Sequence, residues 1–439
     1  MTLNTLRRLA SISCVTAALA LTGCQLAPTG QPTPLVIKGF HGTVHGGQQP
    51  VTGSTIQVYV ANHTSNATAN TGLITGTPQL TDANGNFNIS GTYTCSPNDL
   101  LYITATGGNP GVSGVHNNSA LAMMTGFGLC SSITGSTNVT INELTTVASI
   151  WALSPFMNDV THIGTSPTNS TGLTNAFATI NKIVNTSTGN LSGPALPAGA
   201  LLPISELNTL ADILASCINT VDSAGQSAQC QALFNPSTGA VGALTPTDTI
   251  MAAYNIATNP TGNTTTLNAM ASPASPFQPT LATAPAAYTI AINYVGGGLS
   301  SPKGIAIDAA GNVWVPNSGN NSVSQFTNNG AAISGPAGFT AGSMNAPSAI
   351  AIDLSGNPWV INSGNATITQ LSSNGASGTP FSGNGLSIPK SLSFDGAGNV
   401  WVANSGNNSV SAFTSAGTTI GNYTGAGITS PVAIAVNPQ

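Results

Sequence analysis

The residues able to move protons or hold metals are few, and their spacing restricts the chemistry open to them. Only two glutamates occur, Glu143 and Glu206. Each stands at the start of a helical pattern, where free N–H groups and the helix dipole favour a carboxylate. That structural role leaves no glutamate for general acid–base work. His41 and His45 are four residues apart, a spacing that serves a metal on a helix. Their surroundings alternate as a strand, however, and four strand residues span about 13 Å, too far for one zinc. His63 lies in an Asn/Thr loop, while His116 and His162 read as isolated, without acidic or cysteine partners. Asp82-Ala-Asn84-Gly85-Asn86 opens like a calcium loop, but no glutamate follows at the required offset, so a plain turn is expected. The chain has no Gly-x-Ser-x-Gly elbow, Walker-type loop or Gly-x-Gly-x-x-Gly fingerprint. No catalytic residue, metal site or cofactor is expected.

The chemistry-bearing residues that recur are aspartate and tryptophan, in the last third of the chain. Segments opening at Pro302, Pro347, Pro389 and Pro431 are 45, 42 and 42 residues apart. Each of the first three carries an apolar run ending in Asp308, Asp353 or Asp395, then turn residues, then a strand centred on Trp314, Trp359 or Trp401. Asn-Ser-Gly-Asn follows at 317–320, 362–365 and 404–407, and a further alternating strand closes the unit. A period of about 40–45 residues with short strands and Gly/Asn turns is the layout of a four-stranded propeller blade. The aspartates could line a channel for an ion or substrate. The expected role is to accept backbone N–H bonds in the turn between two strands. The tryptophans could form a stacking platform for sugars, but one per unit at a fixed position is expected to pack between blades.

On the pattern Pro302-Lys-Gly-Ile-Ala-Ile-Asp308-x-x-Gly-Asn-Val-Trp314-Val, ending in Asn-Ser-Val-Ser, residues 288–439 resemble NHL-type repeats. They also look like the repeats of streptogramin lyases. The resemblance implies a β-propeller and says little of activity, because such repeats serve many functions. Streptogramin lyases use a histidine base with acidic and magnesium-binding residues in the propeller channel. Residues 288–439 contain no histidine and no glutamate, and their only charges are Lys303, Lys390 and the three turn aspartates. The lyase machinery therefore finds no matching residue. Residues 288–294 align with the end of a blade, and a fourth unit begins at Pro431 and stops at Gln439, so about three and a half blades are expected. An open arc would leave edges and apolar faces bare. A homo-oligomer that closes the ring is the favoured outcome, ahead of packing on the helical region or a longer natural product.

The amino terminus has Arg7 and Arg8 followed by a short apolar stretch, the layout of an export signal. It ends in Leu21-Thr22-Gly23-Cys24, which resembles the bacterial lipobox and implies cleavage before Cys24 and acylation of that residue. Several acyl chains anchor stably where one does not. Gln25, in place of the aspartate that signals inner-membrane retention, implies the outer membrane. Only 4% of residues are charged. Beyond the signal, four basic residues face eleven acidic ones, which argues against a nucleic-acid partner. Cys14 leaves with the signal, and the four remaining cysteines read as disulfides Cys95–Cys130 and Cys217–Cys230 by proximity.

Between anchor and repeats, residues 24–35 read as a Pro/Gln/Thr tether. Residues 36–114 alternate with period two around Gly and Asn-Gly turns, a small Ig-like β-sandwich. The stretch Thr81-Asp82-x-x-Gly85-x-Phe87 resembles carboxypeptidase-regulatory-like (transthyretin-like) modules, which implies a stalk or spacer. Residues 115–258 turn helical. Thr140-Ile-Asn-Glu143 reads as a capping box before a stripe of Ile141, Leu144, Ala148 and Trp151. Leu173, Phe177, Ile180 and Val184 mark a second helix, Ser205 caps a third, and Pro246 opens a fourth. Residues 259–287 read as a linker. The chain is thus expected to be multidomain and mainly β, with a helical middle region and a partial propeller. Its expected role is that of an exported, lipid-anchored, non-catalytic binding or scaffold protein, with a protein, peptide or glycan ligand.

Overall fold

A computed structural model describes residues 34–37, 39–111, 117–220, 227–237 and 245–437. Cys14, Cys24, His116 and nearly all of the tether lie outside the described residues. The chain is mainly β, and its apolar interior falls into one large core from Ile37 to Tyr288 and two small ones within the repeats.

The large core is built first from short strands: β1 (Leu35–Ile37), β2 (Phe40–Gly46), β3 (Gln49–Pro50), β4 (Thr55–Val60), β5 (Gln79–Leu80), β6 (Asn86–Ile89), β7 (Tyr93–Cys95) and β8 (Leu100–Thr106). Further on come β9 (Ala122–Leu129) and β10 (Asn138–Ile141). One sheet has the order β5-β4-β8-β9; another has β10-β2-β3, with β6 also on β2. The period of two is visible in β2, whose Phe40, Gly42, Val44 and Gly46 are all buried. Gly42 must be glycine, since a Cβ there would lie 2.1 Å from the Val139 carbonyl oxygen and 2.4 Å from the Phe87 ring. Phe40 of one sheet meets Phe127 of the other, with ring centroids 5.5 Å apart.

The helices that follow are α1 (Glu143–Leu153), α2 (Ser170–Ile183), α3 (Ile204–Ile218), α4 (Ala228–Phe234), α5 (Thr249–Thr258) and α6 (Thr264–Asn268). Two short hairpins lie among them, β11 (Met157–Asp159) with β12 (His162–Ile163), and β13 (Val184–Asn185) with β14 (Asn190–Leu191). Helix α1 is buried nearly all round, including Thr145, Thr146 and Ser149. Those hydroxyls cover an edge. β9 ends its sheet, and its outward N–H groups at Ala122, Met124 and Gly126 donate to Thr249, Thr146 and Ser149 hydroxyls, each at 3.0 Å. An edge strand capped by helix side chains cannot pair with another chain.

These contacts correct the division at residue 114. β9 completes the sheet of β8, and β10 pairs in parallel with β2, so residues 36–114 and 115–258 share one core. Parallel pairing across about a hundred residues leaves no trace in local periodicity. The stretch 259–287 is no free linker either, because it carries α6 and buries Phe277, and Tyr288 beyond it is buried too. Helix starts also move. Asn142, not Thr140, caps α1, in a reciprocal pair with Thr145 at 2.9 Å, while Thr140 and Ile141 belong to β10. Pro203 precedes α3, with Ser205 inside it, and Asp248 caps α5 by accepting the Met251 N–H at 2.8 Å. Asn142 and Asp248 each lie two or three residues from another polar residue that could serve as cap, and only the strand or loop that feeds the helix selects between them.

The repeats form three antiparallel sheets. The first has β15 (Ala306–Ile307), β16 (Val313–Asn317) and β17 (Ser322–Phe326). The second has β18 (Pro347–Ile352), β19 (Pro358–Asn362), β20 (Thr367–Leu371) and β21 (Gly378–Phe381). The third has β22 (Pro389–Phe394), β23 (Val400–Asn404), β24 (Ser409–Phe413) and β25 (Thr419–Thr424). Two boundaries differ from expectation. Tyr288, Ile290 and Ile292 pack on the large core instead of closing a blade, and Asn293 bridges to Leu201. Residues 431–437 carry no strand, though Ser430 donates its N–H to Asn408 as Ala346 does to Asn321 at the start of the second sheet.

Candidate functional site

The repeated aspartates and tryptophans are brought together by one short turn, three times over. Asp308 Oδ1 accepts the N–H groups of Ala310 and Asn312 at 3.0 and 2.9 Å, and its Oδ2 accepts the Trp314 indole N–H at 2.9 Å. Asp353 and Asp395 repeat this with Trp359 and Trp401, each at 3.0 Å. The turn requires positive φ at its fourth residue, and Gly311, Gly356 and Gly398 supply it at 81°, 81° and 79°. Sequence reasoning anticipates the backbone bonds but not the indole bond, although the constant spacing of aspartate and tryptophan carried that signal. Trp314 and Trp359 are wholly buried. A buried indole N–H needs an acceptor, and the turn carboxylate is in reach.

Both oxygens of each carboxylate are thus engaged. Burial opposes ionisation of Asp308, but the bonds from Trp314 and Asn312 outweigh it and hold the carboxyl below its usual range. At Asp353 burial is outweighed by Asn357 and Trp359 in the same way, and at Asp395 the bond from Trp401 leads the lowering. Such groups are fixed anions, ill suited to accept a proton near neutrality. The asparagines of the Asn-Ser-Gly-Asn motif are also structural. Asn317, Asn362 and Asn404 are buried, and each donates across its hairpin to two hydroxyls, for example Asn404 to Ser409 and Ser411 at 3.2 and 2.8 Å.

Asp82 occupies the same turn in the large domain, accepting N–H bonds from Asn84 and Asn86 at 2.8 Å each, with Gly85 at φ 73°. No tryptophan follows. Its carboxylate lines an open groove of about 650 Å³ with His41, Gln79, Asn86, Asn88 and Asn138. Amides and one carboxylate on a strand surface can hydrogen-bond a polar ligand, and nothing there is arranged as a base beside a nucleophile.

The remaining titratable groups are scattered over the described residues. Among the described residues, no three His, Cys, Asp or Glu side chains gather as a metal site. His41 and His45 both lie on β2, and burial lowers the pKa of His45. His162 is not isolated as expected, because its Nδ1 lies 2.8 Å from Asp159 on the same hairpin. His63 Nε2 stands 3.9 Å from Asp99. Glu143 and Glu206 do occupy first helical turns. Yet Glu143 is completely buried: its Oε1 accepts the Gly47 N–H at 2.7 Å and its Oε2 has no hydrogen-bond partner among the described residues. Burial pushes its carboxyl up to about 8, so desolvation outweighs the helix terminus. Asp212 on α3 is similar, with one oxygen bonded to the Phe277 N–H and burial raising it to about 7.

Both disulfides have the pairing drawn from the sequence. Cys95 and Cys130 join β7 to the turn after β9, with Cα atoms 6.2 Å apart, and Cys217–Cys230 joins α3 to α4 at 4.4 Å. No helix among the described residues is long and apolar enough to cross a membrane.

No family model matches this chain, and no curated protein matches it. Solved structures similar to part of it include virginiamycin B lyase from Staphylococcus aureus, at 20% identity over 28% of this chain and 41% of that one, with a TM-score of 0.25. A streptogramin B lyase structure shares 20% identity over 32% and 46%, with a TM-score of 0.28. Part of a nidogen/laminin complex shares 15% over 30% and 51%, with a TM-score of 0.25. The chain spans under half the length of those two lyases.

Proposed function

We propose that this protein is exported, anchored by lipid at Cys24 to the cell envelope, and acts there as a non-catalytic binding or scaffold module through a β-propeller face. The observation that carries the reading is the use made of the repeat aspartates. Asp308, Asp353 and Asp395 spend their carboxylates on turn N–H groups and tryptophan indoles, and the repeats hold no histidine or glutamate to take over proton transfer. Two disulfides support an oxidising compartment. The buried tryptophans point to a rigid frame whose exposed loops meet a protein, peptide or glycan. The alternative is carbon–oxygen bond cleavage of the streptogramin-lyase kind, which would need a base from outside the repeats. Pull-down from the native cell envelope, paired with incubation of the purified protein with a streptogramin B, separates the two. Saturable capture without turnover is expected, and cleavage of the antibiotic would overturn the reading.

A further inference from the structure

The turn that binds an indole three times in the repeats occurs a fourth time in the large domain, without the indole. Asp82-Ala-Asn84-Gly85-Asn86-Phe87 matches Asp308-Ala-Ala310-Gly311-Asn312-Val313 in layout. The bonds match as well. Asn86 donates its backbone N–H to Asp82 Oδ1 at 2.8 Å and its Nδ2 to Oδ2 at 3.2 Å, as Asn312 does to Asp308 at 2.9 and 3.0 Å. Six residues after the aspartate stands a tryptophan in each repeat and Asn88 here. Asp308 Oδ2 thus receives a second donor from Trp314. Asp82 Oδ2 has only Asn86 among the described residues, and both Asp82 and Asn88 are exposed. A carboxylate oxygen has room for a second donor, and here that place is open.

What adjoins Asp82 instead is the groove of about 650 Å³, a volume in the range of small-ligand sites. Three paired strands supply most of its lining. Asn88 of β6, His41 of β2 and Asn138 of β10 are register partners, so their side chains stand in one row across the sheet, roughly 4.8 Å from strand to strand. Asn138 donates its Nδ2 to the Ser187 carbonyl at 2.7 Å, which leaves its Oδ1 as an acceptor. Leu80 of β5 also lines the groove and is 57% exposed. The bonds from Asn86 hold the Asp82 carboxyl below its usual range, so the acceptor at the end of the row is a fixed one.

We propose that this groove binds a neutral saccharide, with Asp82 Oδ2 accepting a sugar hydroxyl where the repeats place an indole N–H, and Asn88, His41 and Asn138 bonding the hydroxyls beside it. A hydroxyl both donates and accepts, and so do amides and a neutral imidazole, so the row can meet successive hydroxyls in either sense. The carboxylate adds a charge-assisted bond, stronger than a neutral one. Leu80 offers an apolar contact for the C–H face of a ring. The lining holds one carboxylate and no lysine or arginine, which suits a neutral ligand and disfavours an anionic one. The groove belongs to the large domain, so this goes beyond the propeller reading and does not depend on it.

Isothermal titration of the purified full chain with neutral trisaccharides (maltotriose, cellotriose, xylotriose and chitotriose) tests this, with thermal unfolding confirming that each variant folds. Binding of at least one is expected. Asn88→Ala and His41→Ala, both at exposed positions, should each weaken it about fivefold, the worth of one hydrogen bond. Asn88→Trp places the indole of the repeats beside Asp82 and should abolish binding. No binding of any of these sugars overturns the proposal. So does binding that Asn88→Trp leaves unchanged, which would lie elsewhere on the chain, and so does a groove that takes calcium or a peptide but no saccharide. Failure of the groove leaves the propeller reading untouched, and failure of envelope capture with saccharide binding intact counts against that reading alone.

Discussion

Trp359 donates its indole N–H to Asp353 Oδ2 at 3.0 Å while its ring lies edge-on to Phe394 of the next sheet, 6.2 Å between centroids. One side chain thus ties the turn of its own sheet to the packing of the neighbour. The carboxylate does more than shape a loop, because it satisfies the only polar atom of a wholly buried side chain.

Removing that acceptor should be costly. Asp353→Ala leaves the indole N–H unpaired in the core and also strips the turn of its acceptor, for about 2–3 kcal/mol. In a Trp359→Phe background, where no indole remains, the same change should cost about 1 kcal/mol less. Urea unfolding of the four proteins in the cycle measures the coupling, and a value near zero would disprove the role given to the pair.

The two regions should respond to pH in opposite directions. Asp308, Asp353 and Asp395 are held below their usual range. A depressed carboxylate contributes stability that is present above its unfolded pKa, about 4, and is lost as pH falls through the folded value. The repeat sheets should therefore loosen on acidification below about pH 4. Tryptophan fluorescence of a variant with Trp151→Phe, which confines the signal to the repeats, follows this directly.

Glu143 has the opposite sign. Its folded pKa of about 8 lies above the unfolded value, so its contribution is fully present below about pH 4.5 and is lost as pH rises through about 8. Thermal unfolding of the large domain should fall between pH 6 and pH 9. Glu143→Gln keeps an oxygen for the Gly47 N–H and removes the charge, so it should flatten that slope. An unchanged slope would show that Glu143 is not the group responsible.

The bridge between α3 and α4 closes a loop of thirteen residues in sequence separation. Replacing Cys217 and Cys230 together with alanine should cost roughly 3 kcal/mol by chain-entropy reasoning. Mass spectrometry of an unreduced digest should first show the Cys217–Cys230 and Cys95–Cys130 links. Chemical denaturation then reads the loss.

Cys24 carries the proposed anchor. Cys24→Ser should move the protein from the membrane fraction to the soluble fraction and abolish incorporation of labelled fatty acid. Tight membrane association of that variant would remove the lipid from the account.

The sequence by itself determined the repeat period, the order of strand and turn within each unit, and the pairing of the described cysteines. Those features depend on neighbours along the chain: the spacing from Pro347 to Asp353 to Trp359, or two cysteines separated by thirteen residues. It also placed Glu143 and Glu206 in first helical turns, since caps and dipoles act within one turn. Only the tertiary structure decided what lies over those turns. Glu143 reads only as a first-turn carboxylate, and its burial under Gly47, 96 residues earlier, is not visible in the local pattern. The parallel pairing of β10 with β2 unites two stretches that each look independent, and Tyr288 reads as a blade strand yet fills the large core. Trp401 matches Trp314 and Trp359 residue for residue, yet it alone is part-exposed. Burial is a property of what covers a side chain, and the cover comes from residues remote in sequence, so no local pattern could tell the third tryptophan from the first two.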